Sequence, residues 1–273
     1  MIIGIDIGST TTKAVSIENG SLKKKVKTKA FDAVTSATGA LGKIVLEHGI
    51  KIGDIERIMI TGAGSSAIKN DIFDIPTSRV NEIEAIGIGG MFLSGMSEII
   101  ITNIGTGTVI VEAGRAGISH FGGSGVGGGT ILGLAKKLLP TAEFAGIMEL
   151  ALGGNLSHVD LKLADIMDDD ISFLSKDATA ANFGKTLDSA TSSDLALAIV
   201  NMVFEVIGML SIFAAKARDA KRVIVTGNGS GNQIGQKVFA AIAKMYGMEF
   251  VYPEYAEYTT AVGAALHSIE AGT

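Results

Sequence analysis

The sequence predicts an α/β protein made of two similar halves that face each other across a cleft. Short apolar runs, typical of buried strands, alternate with longer segments of helical periodicity. The pattern that opens the chain starts again near residue 98, and glycine-rich turns repeatedly follow the strands. A chain of 273 residues is long enough for two domains. We predict domains at 1–95 and 96–273, with the C-terminal helix packing back toward the first.

The first half carries four predicted strands and two predicted helices. Its opening run is apolar and ends at a glycine, as a short buried strand does. Asp32 is a plausible cap for a segment of helical spacing, and Pro76 precedes the second helix. In chain order we predict strands at 2–7, 13–17 and 22–30, a helix at 32–48, a strand at 55–61 and a helix at 81–91.

The second half repeats the opening pattern. Ile104-Gly105-Thr106-Gly107-Thr108 aligns with Ile7-Gly8-Ser9-Thr10-Thr11, and Asn103 takes the place of Asp6. Each turn follows a buried strand and precedes another strand, so the two hairpins can hold one polyphosphate from both sides. In chain order we predict strands at 98–104 and 108–113, helices at 128–139, 143–152 and 193–217, a strand at 222–226, and helices at 232–246 and 259–269.

Composition narrows the classes of function. The chain has no cysteine, which excludes disulfides, thiolate metal sites and cysteine nucleophiles. A net charge of -5 without a basic stripe argues against nucleic-acid or membrane-surface partners. The most apolar stretch, 195–215, contains Asn201 and Glu205, so we expect a buried helix rather than a membrane span. The opening residues lack the features of a signal peptide, and we expect a cytoplasmic protein.

The first hairpin turn has the chemistry of a phosphate site. Its glycine allows close approach, and its hydroxyls, amides and lysine can donate to phosphate oxygens. The residues concerned are Gly8, Ser9, Thr10, Thr11, Thr12 and Lys13. Phosphates repel the Asp6 carboxylate unless a cation intervenes, so we expect Asp6 to hold Mg²⁺, directly or through water. A glycine-rich hairpin with a solvated aspartate is the structural alternative.

Two further glycine-rich turns lead into helices. Glycine dominates residues 122–130, and amides exposed at the start of the following helix can bind an anion. This segment lacks the Lys-Ser/Thr ending of a Walker A loop. Residues 226–231 form a second such turn after the late strand. One glycine turn alone is easily structural, but together with the repeated hairpin they fit a nucleotide in an interdomain cleft.

These motifs resemble those of the actin-like ATPase superfamily, and within it the type II pantothenate kinases. Gly4–Thr10 resembles the superfamily's first phosphate motif, and Asn103–Thr108 resembles the second in its asparagine-bearing form. Gly127–Leu134, Thr179–Gly184 and Asn81–Ala85 are similar to more specific segments of the kinase family. The resemblance extends from about residue 2 to residue 266. It implies two ribonuclease-H-like (actin-like ATPase) domains around an ATP cleft, and a homodimer.

The resemblance also implies an activity and its residues. It implies ATP-dependent phosphorylation of pantothenate to 4′-phosphopantothenate, the first step of coenzyme A biosynthesis. Glu82 would be the catalytic base and Asp6 the metal ligand, while His120 and Thr179 would bind substrate. From the residues alone, Glu82 and its competitor Glu84 are most simply acids that complement a helix dipole. The implied ATP contacts are Asp6, Gly8, Ser9, Thr10, Thr11, Thr12, Lys13, Thr106, Gly128, Gly129, Thr130, Ile131, Leu132, Phe144, Asn228 and Gly229.

One position departs from the family pattern. His120 stands two residues before the double glycine, where the family usually has an arginine that binds the pantothenate carboxylate. A neutral histidine is a weaker carboxylate partner than a bidentate guanidinium. A kinase for another pantothenate-like alcohol is therefore one alternative. Others are an ATPase activator of a partner enzyme, resembling the acyl-CoA dehydratase activators, and a non-catalytic binding protein. Those activators normally carry a cysteine-bound cluster, and this chain has no cysteine.

Overall fold

The computed structural model describes residues 1–167 and 175–270, and these form two five-stranded sheets of the same topology. Each sheet combines an antiparallel three-stranded meander with two parallel strands on its other side. The strand order is β3-β2-β1-β4-β5 in the first sheet and β8-β7-β6-β11-β12 in the second. The strands are β1 (Ile2–Ile7), β2 (Thr11–Glu18), β3 (Ser21–Lys29), β4 (Arg57–Thr61), β5 (Thr77–Arg79), β6 (Ile99–Ile104), β7 (Thr108–Gly114), β8 (Gly117–Ser124), β9 (Leu161–Lys162), β10 (Thr179–Ala181), β11 (Arg222–Thr226) and β12 (Glu249–Val251), of which β9 and β10 form a separate pair.

The described residues form seven α-helices, and all seven were predicted. Their starts are set by local caps. The Asp32 carboxylate accepts from the Thr35 amide, and Asn81 Oδ1 accepts from the Ile83 amide. The largest difference from prediction is at the end of the second helix, which runs past Met91 to a left-handed Gly95. The helices are α1 (Ala33–His48), α2 (Glu82–Ser94), α3 (Gly128–Leu138), α4 (Phe144–Leu152), α5 (Ser192–Lys216), α6 (Gln233–Tyr246) and α7 (Thr259–Glu270).

Helices α2 and α7 pack against each other between the two sheets. α7 lies on strands β1, β2 and β4 of the first sheet. α2 contacts α7 on one side and strands β6, β7 and β8 of the second sheet on the other. At their crossing the backbones touch: a Cβ on Gly263 would lie 1.7 Å from the Ala85 carbonyl oxygen. A Cβ on Gly89 would lie 2.0 Å from the Thr259 carbonyl oxygen. Glycine at both positions therefore fixes α2 against α7, and the C-terminal helix lies on the first sheet. The domain boundary at residue 95 stays a prediction.

Helix α5 is the long apolar helix expected from residues 195–215. Within the described part of the chain it alone is long and apolar enough to cross a membrane, but 61% of its apolar stretch is buried inside the protein. Its two polar residues have partners: Asn201 Nδ2 donates to Asp160, and the Glu205 carboxylate accepts from Thr179 and Asn182. These are the surroundings of a core helix.

The interpretation of residues 122–124 as part of a glycine loop is wrong, because they end the edge strand β8. Gly123 lies opposite Val109, and a Cβ there would meet the Thr108 carbonyl oxygen at 2.7 Å. Glycine is needed at this point for close strand approach, not for a turn. The short strands β5 and β12 were also missed, since three residues carry no readable alternation.

Candidate active site

A cavity of about 240 Å³ lies between the β1–β2 and β6–β7 turns. It is closed by the start of α2 and by the turn after β11. A larger, open depression of about 710 Å³ lies at the opposite end of the second sheet and contains none of the predicted site residues. The chemistry is therefore concentrated in the smaller cavity. Of the predicted residues, those that line it are Asp6, Gly8, Ser9, Thr10, Thr11, Lys13, Glu82, Thr106 and Asn228.

The two halves of the protein meet across this cavity through polar side chains. Ser9 Oγ and Thr106 Oγ1 lie 2.5 Å apart and share a hydrogen bond. Asn228 Nδ2 donates to Thr11 Oγ1 at 2.9 Å. Each pair joins a residue of the first hairpin to one of the second half. The side chains that the sequence predicts to bind phosphate thus meet at the cavity, where they form hydrogen bonds with one another.

Asp6 and Lys13 form an ion pair at the floor of the cavity. They lie opposite each other on β1 and β2, with Lys13 Nζ 3.8 Å from Asp6 Oδ2. Both side chains are largely buried. Burial raises the pKa of Asp6, and the nearby Lys13 partly opposes this effect. Burial lowers the pKa of Lys13, with Asp6 acting in the opposite direction. Each charge is incompletely compensated, so a phosphate near Lys13 and a cation near Asp6 would complement the pair.

Glu82 and Glu84 share the first turn of α2 but face different surroundings. Glu82 lines the cavity. Burial raises its pKa, and the charge of Asp6 raises it further. Glu84 instead lies beside α7, where its Oε2 is 3.4 Å from His267 Nε2. Residues two apart on a helix do not share a face, so only one of the two can reach the cavity. A carboxylate in a cleft with a raised pKa is a candidate general base.

The glycine-rich start of α3 forms backbone hydrogen bonds to the second hairpin turn. The Gly128 amide donates to the Gly105 carbonyl at 2.9 Å, and the Gly129 amide donates to the Thr106 carbonyl at 2.8 Å. The expectation that these amides are exposed to an anion is therefore not met. Of the residues that follow, Thr130 bonds back to the Gly125 carbonyl, and Ile131 is buried in the core with Leu132 packed against that core. Their contact with ATP stays a prediction.

Three other predicted ATP-contacting residues lie off the cavity. The side chain of Thr12 is fully buried, because successive residues of a strand point to opposite faces and its neighbours Thr11 and Lys13 face the cavity. Gly229 packs on β6, where a Cβ would meet Ile104 Cγ2 at 2.4 Å. Phe144 opens α4 and is 42% exposed.

The two predicted substrate residues lie on different elements. His120 is exposed on the edge strand β8, where it lies opposite Val111 and therefore on the same face of the sheet. Its Nε2 would be 3.7 Å from a Cβ on Gly123, whose strand partner Val109 lines the cavity. Thr179 lies on β10, where its hydroxyl donates to Glu205 at 2.7 Å. Neither His120 nor Thr179 lines the cavity, but His120 lies near Gly123, which pairs with the cavity-lining Val109.

Sequence reasoning missed Gly62 and Ala63, which also line the cavity. A signal for them exists in the chain. Thr61-Gly62-Ala63-Gly64-Ser65 at the end of β4 matches Thr226-Gly227-Asn228-Gly229-Ser230 at the end of β11. Gly62 and Gly227 both have positive φ, +85° and +81°, and both turns continue into a short 3₁₀ helix. The internal repeat therefore includes this turn as well as the hairpin.

Comparison with known proteins settles the family. The family model described as Fumble matches residues 98–267. The type II pantothenate kinase of Bacillus thuringiensis subsp. konkukian is 30% identical over 278 residues, covering 97% of each chain. This chain belongs to the type II pantothenate kinase family. The type II pantothenate kinase of Staphylococcus saprophyticus is 29% identical, over 97% of this chain and 99% of its own length.

Solved structures at lower identity share the fold of this family member. The activator of the 2-hydroxyisocaproyl-CoA dehydratase from Clostridium difficile, with bound ADPNP, superimposes with a TM-score of 0.67 at 19% identity, over 99% of this chain and 94% of its own. A ROK family glucokinase from Streptomyces griseus, in complex with glucose and AMPPNP, superimposes with a TM-score of 0.58 at 14% identity, over 97% of each chain. The predicted fold class is confirmed.

Proposed function

We propose that this chain is an ATP-dependent pantothenate kinase that catalyses the first step of coenzyme A biosynthesis. The observation that carries the proposal is that Glu82, Asp6, Lys13 and both hydroxyl-bearing hairpin turns surround a single cavity in a member of this family. Phosphoryl transfer needs positioned phosphates, neutralised charge and a group that accepts the proton of the attacking alcohol. The cavity supplies a candidate for each requirement.

The hairpin turns would hold the phosphates of ATP. Ser9 and Thr106 are in contact, as are Thr11 and Asn228, and each pair can exchange its mutual hydrogen bond for bonds to phosphate oxygens. Lys13 would turn from Asp6 toward the negative charge of the phosphates. Because the donors come from both halves of the protein, bound ATP would link the halves and close the cleft around the reacting groups.

Asp6 is the residue suited to hold Mg²⁺. Its carboxylate is largely buried, and the one cationic neighbour it has within the described ranges is the Lys13 ammonium, at 3.8 Å. Oxygen ligands suit Mg²⁺, which in kinases is usually bound by one or two carboxylates together with substrate phosphates and water. No group of three potential metal-binding side chains occurs among residues 1–167 and 175–270, which fits a cation that arrives with its nucleotide. When bound, Mg²⁺ would neutralise charge that develops on the phosphates.

Glu82 would accept the proton from the primary hydroxyl of pantothenate. Its raised pKa makes the carboxylate a stronger base than an ordinary glutamate. The cause is burial first and the charge of Asp6 second. The position at the first residue of α2 fixes it, since α2 is held against α7 by the glycine crossing.

The acceptor side of the site rests on His120. Its exposed position near Gly123, whose strand partner Val109 lines the cavity, supports a role in binding the pantothenate carboxylate. The alternative acceptor is a neutral pantothenate-like alcohol, for which no positive partner is needed. Thr179 stays a proposed substrate residue, held by Glu205.

We also propose a homodimer in the cytoplasm, with no nucleic-acid or membrane partner. The dimer is what the resemblance to the family implies, and Phe213 (56% exposed) is the exposed large apolar residue of α5 in the described structure. Sedimentation velocity should show a dimer at micromolar concentration, and a monomer throughout that range would contradict it.

A coupled assay of ADP release tests the function and separates it from its alternatives. A pantothenate kinase releases ADP only when its acceptor is present, whereas an ATPase activator does so without one. The acceptors should include pantothenate and neutral analogues that lack the carboxylate. ADP release stimulated only by the neutral analogues would identify a related kinase with a different substrate. Release that no acceptor stimulates would contradict the proposal.

A further inference from the structure

The two halves carry the same arrangement of parallel strands beside the cavity. In the second sheet, Thr226 of β11 lies in register with Asn103 of β6, and its hydroxyl donates to Asn103 Oδ1 at 2.9 Å. In the first sheet, Thr61 of β4 lies in register with Asp6 of β1. Both threonine side chains are fully buried. The pairs Thr226–Asn103 and Thr61–Asp6 are therefore structural equivalents.

The glycine after each threonine places the partner side chain in the same way. A Cβ on Gly227 would lie 2.9 Å from Asn103 Oδ1, and a Cβ on Gly62 would lie 2.6 Å from Asp6 Oδ1. In both halves, the polar side chain thus lies over the glycine that follows its threonine. The two halves are therefore equivalent in their backbones and also in the positions of Asn103 Oδ1 and Asp6 Oδ1.

The two halves differ in one hydrogen bond. Thr61 Oγ1 is buried and finds no partner among the residues that the structure describes, whereas Thr226 Oγ1 is bonded. A buried hydroxyl without a partner is unfavourable, and such groups are uncommon in folded proteins. The Asp6 carboxylate is instead drawn to Lys13 at 3.8 Å. The hydroxyl that would complete the repeated arrangement is therefore present, buried and unused.

We propose that Thr61 is a positioning residue for Asp6 when nucleotide is bound. When the phosphates of ATP attract Lys13, Asp6 loses its ion pair, and the Thr61 hydroxyl donates to its carboxylate as Thr226 donates to Asn103. This bond fixes one carboxylate oxygen and directs the other into the cavity, toward the cation. The inference rests on the proposed function, because it needs ATP and Mg²⁺ to bind in this cavity.

Matched variants separate this role from a purely structural one. Thr61→Val removes a hydroxyl without a partner, so the thermal midpoint of the free protein should stay the same or rise. Thr226→Val leaves Asn103 without its donor, so its midpoint should fall by several degrees. Calorimetric titration with AMPPNP should show about tenfold weaker binding for Thr61→Val in Mg²⁺, as for the loss of one hydrogen bond to a charged group. In EDTA, where Asp6 has no cation to hold, the loss of affinity should be smaller than in Mg²⁺. Thr61→Ser should restore the affinity in Mg²⁺.

Each outcome of the titration bears on the inference. Affinity in Mg²⁺ that Thr61→Val leaves unchanged would overturn it while leaving the proposed function intact. A midpoint that falls in Thr61→Val as far as in Thr226→Val would also overturn it, because the hydroxyl would then be structural. A wild type that binds AMPPNP equally well in Mg²⁺ and in EDTA would contradict the magnesium site itself, and the inference with it.

Discussion

One methyl group at the crossing of α2 and α7 should both destabilise the protein and slow catalysis. In Gly263→Ala, the new Cβ would lie 1.7 Å from the Ala85 carbonyl oxygen and 2.7 Å from the Gly89 amide nitrogen. Ordinary contact begins near 3.4 Å, so the two helices must separate by more than an ångström. Both neighbours are backbone atoms, which cannot turn aside as a side chain would. We expect a loss of about 3 kcal/mol in the free energy of unfolding, at the upper end for overpacking.

The same separation should move Glu82, which lies in the first turn of α2, three residues before Ala85. A displacement of about 1 Å in a catalytic group can cost roughly 10²-fold in rate, so kcat should fall by about that factor. Urea unfolding followed by far-UV circular dichroism measures the stability, and the ADP-release assay measures kcat.

Gly42→Ala in α1 is the matched control for Gly263→Ala. A Cβ on Gly42 would meet nothing within 4 Å among the described residues. Alanine is a better helix former than glycine, so the free energy of unfolding of this variant should rise by about 0.5–1 kcal/mol. Its activity should stay the same. The two substitutions are chemically identical and have opposite expected signs. Equal urea midpoints for Gly263→Ala and Gly42→Ala would refute the close crossing of α2 and α7.

Three further predictions concern the site. Glu82→Gln should reduce kcat by about 10²–10⁴-fold and leave ATP affinity nearly unchanged, and a greater loss in Glu84→Gln would show the base to be misassigned. Because the pKa of Glu82 is raised, and a base acts only when ionised, kcat/KM should fall as the pH drops through a value above the ordinary glutamate range. In Asp6→Asn, the residual activity should fall at a lower pH than in the wild type, because the Asp6 charge no longer raises the pKa of Glu82. A fall at the same pH would show that Asp6 does not raise this pKa. His120→Arg should lower KM for pantothenate, since a guanidinium stays charged at any ordinary pH, and an unchanged KM would argue for a neutral natural acceptor.

Much of the fold was readable from the sequence because its helices carry local signals. Asp32 and Asn81 cap the helices that they precede, and the left-handed Gly49, Gly95 and Gly247 end three of them. The edge strand β8 was missed because its double glycine is typical of a turn. Only the approach of the Thr108 backbone explains why glycine is required there. That contact is tertiary and leaves no local trace.

The candidate site divides in a similar way. The hairpin residues Ser9 and Thr106 were found because the motif repeats along the chain. The placement of Thr12 could have been predicted from strand alternation alone, since it lies between two cavity-lining residues. Glu82 and Glu84 could not be distinguished by pattern, because both occupy one helical turn. The packing of α7, which brings His267 to Glu84, separates them in the structure.

Identification of the phosphorylated product tests the central claim most directly. Wild-type protein is incubated with Mg²⁺, ATP and pantothenate, and the phosphorus species are followed by ³¹P nuclear magnetic resonance with mass spectrometry of the products. We expect a phosphate monoester on the primary hydroxyl of pantothenate, formed in equal amount to ADP and lost in Glu82→Gln. Inorganic phosphate released in equal amount to ADP, with pantothenate unchanged, would show an ATPase and contradict the assignment of this cavity to a kinase.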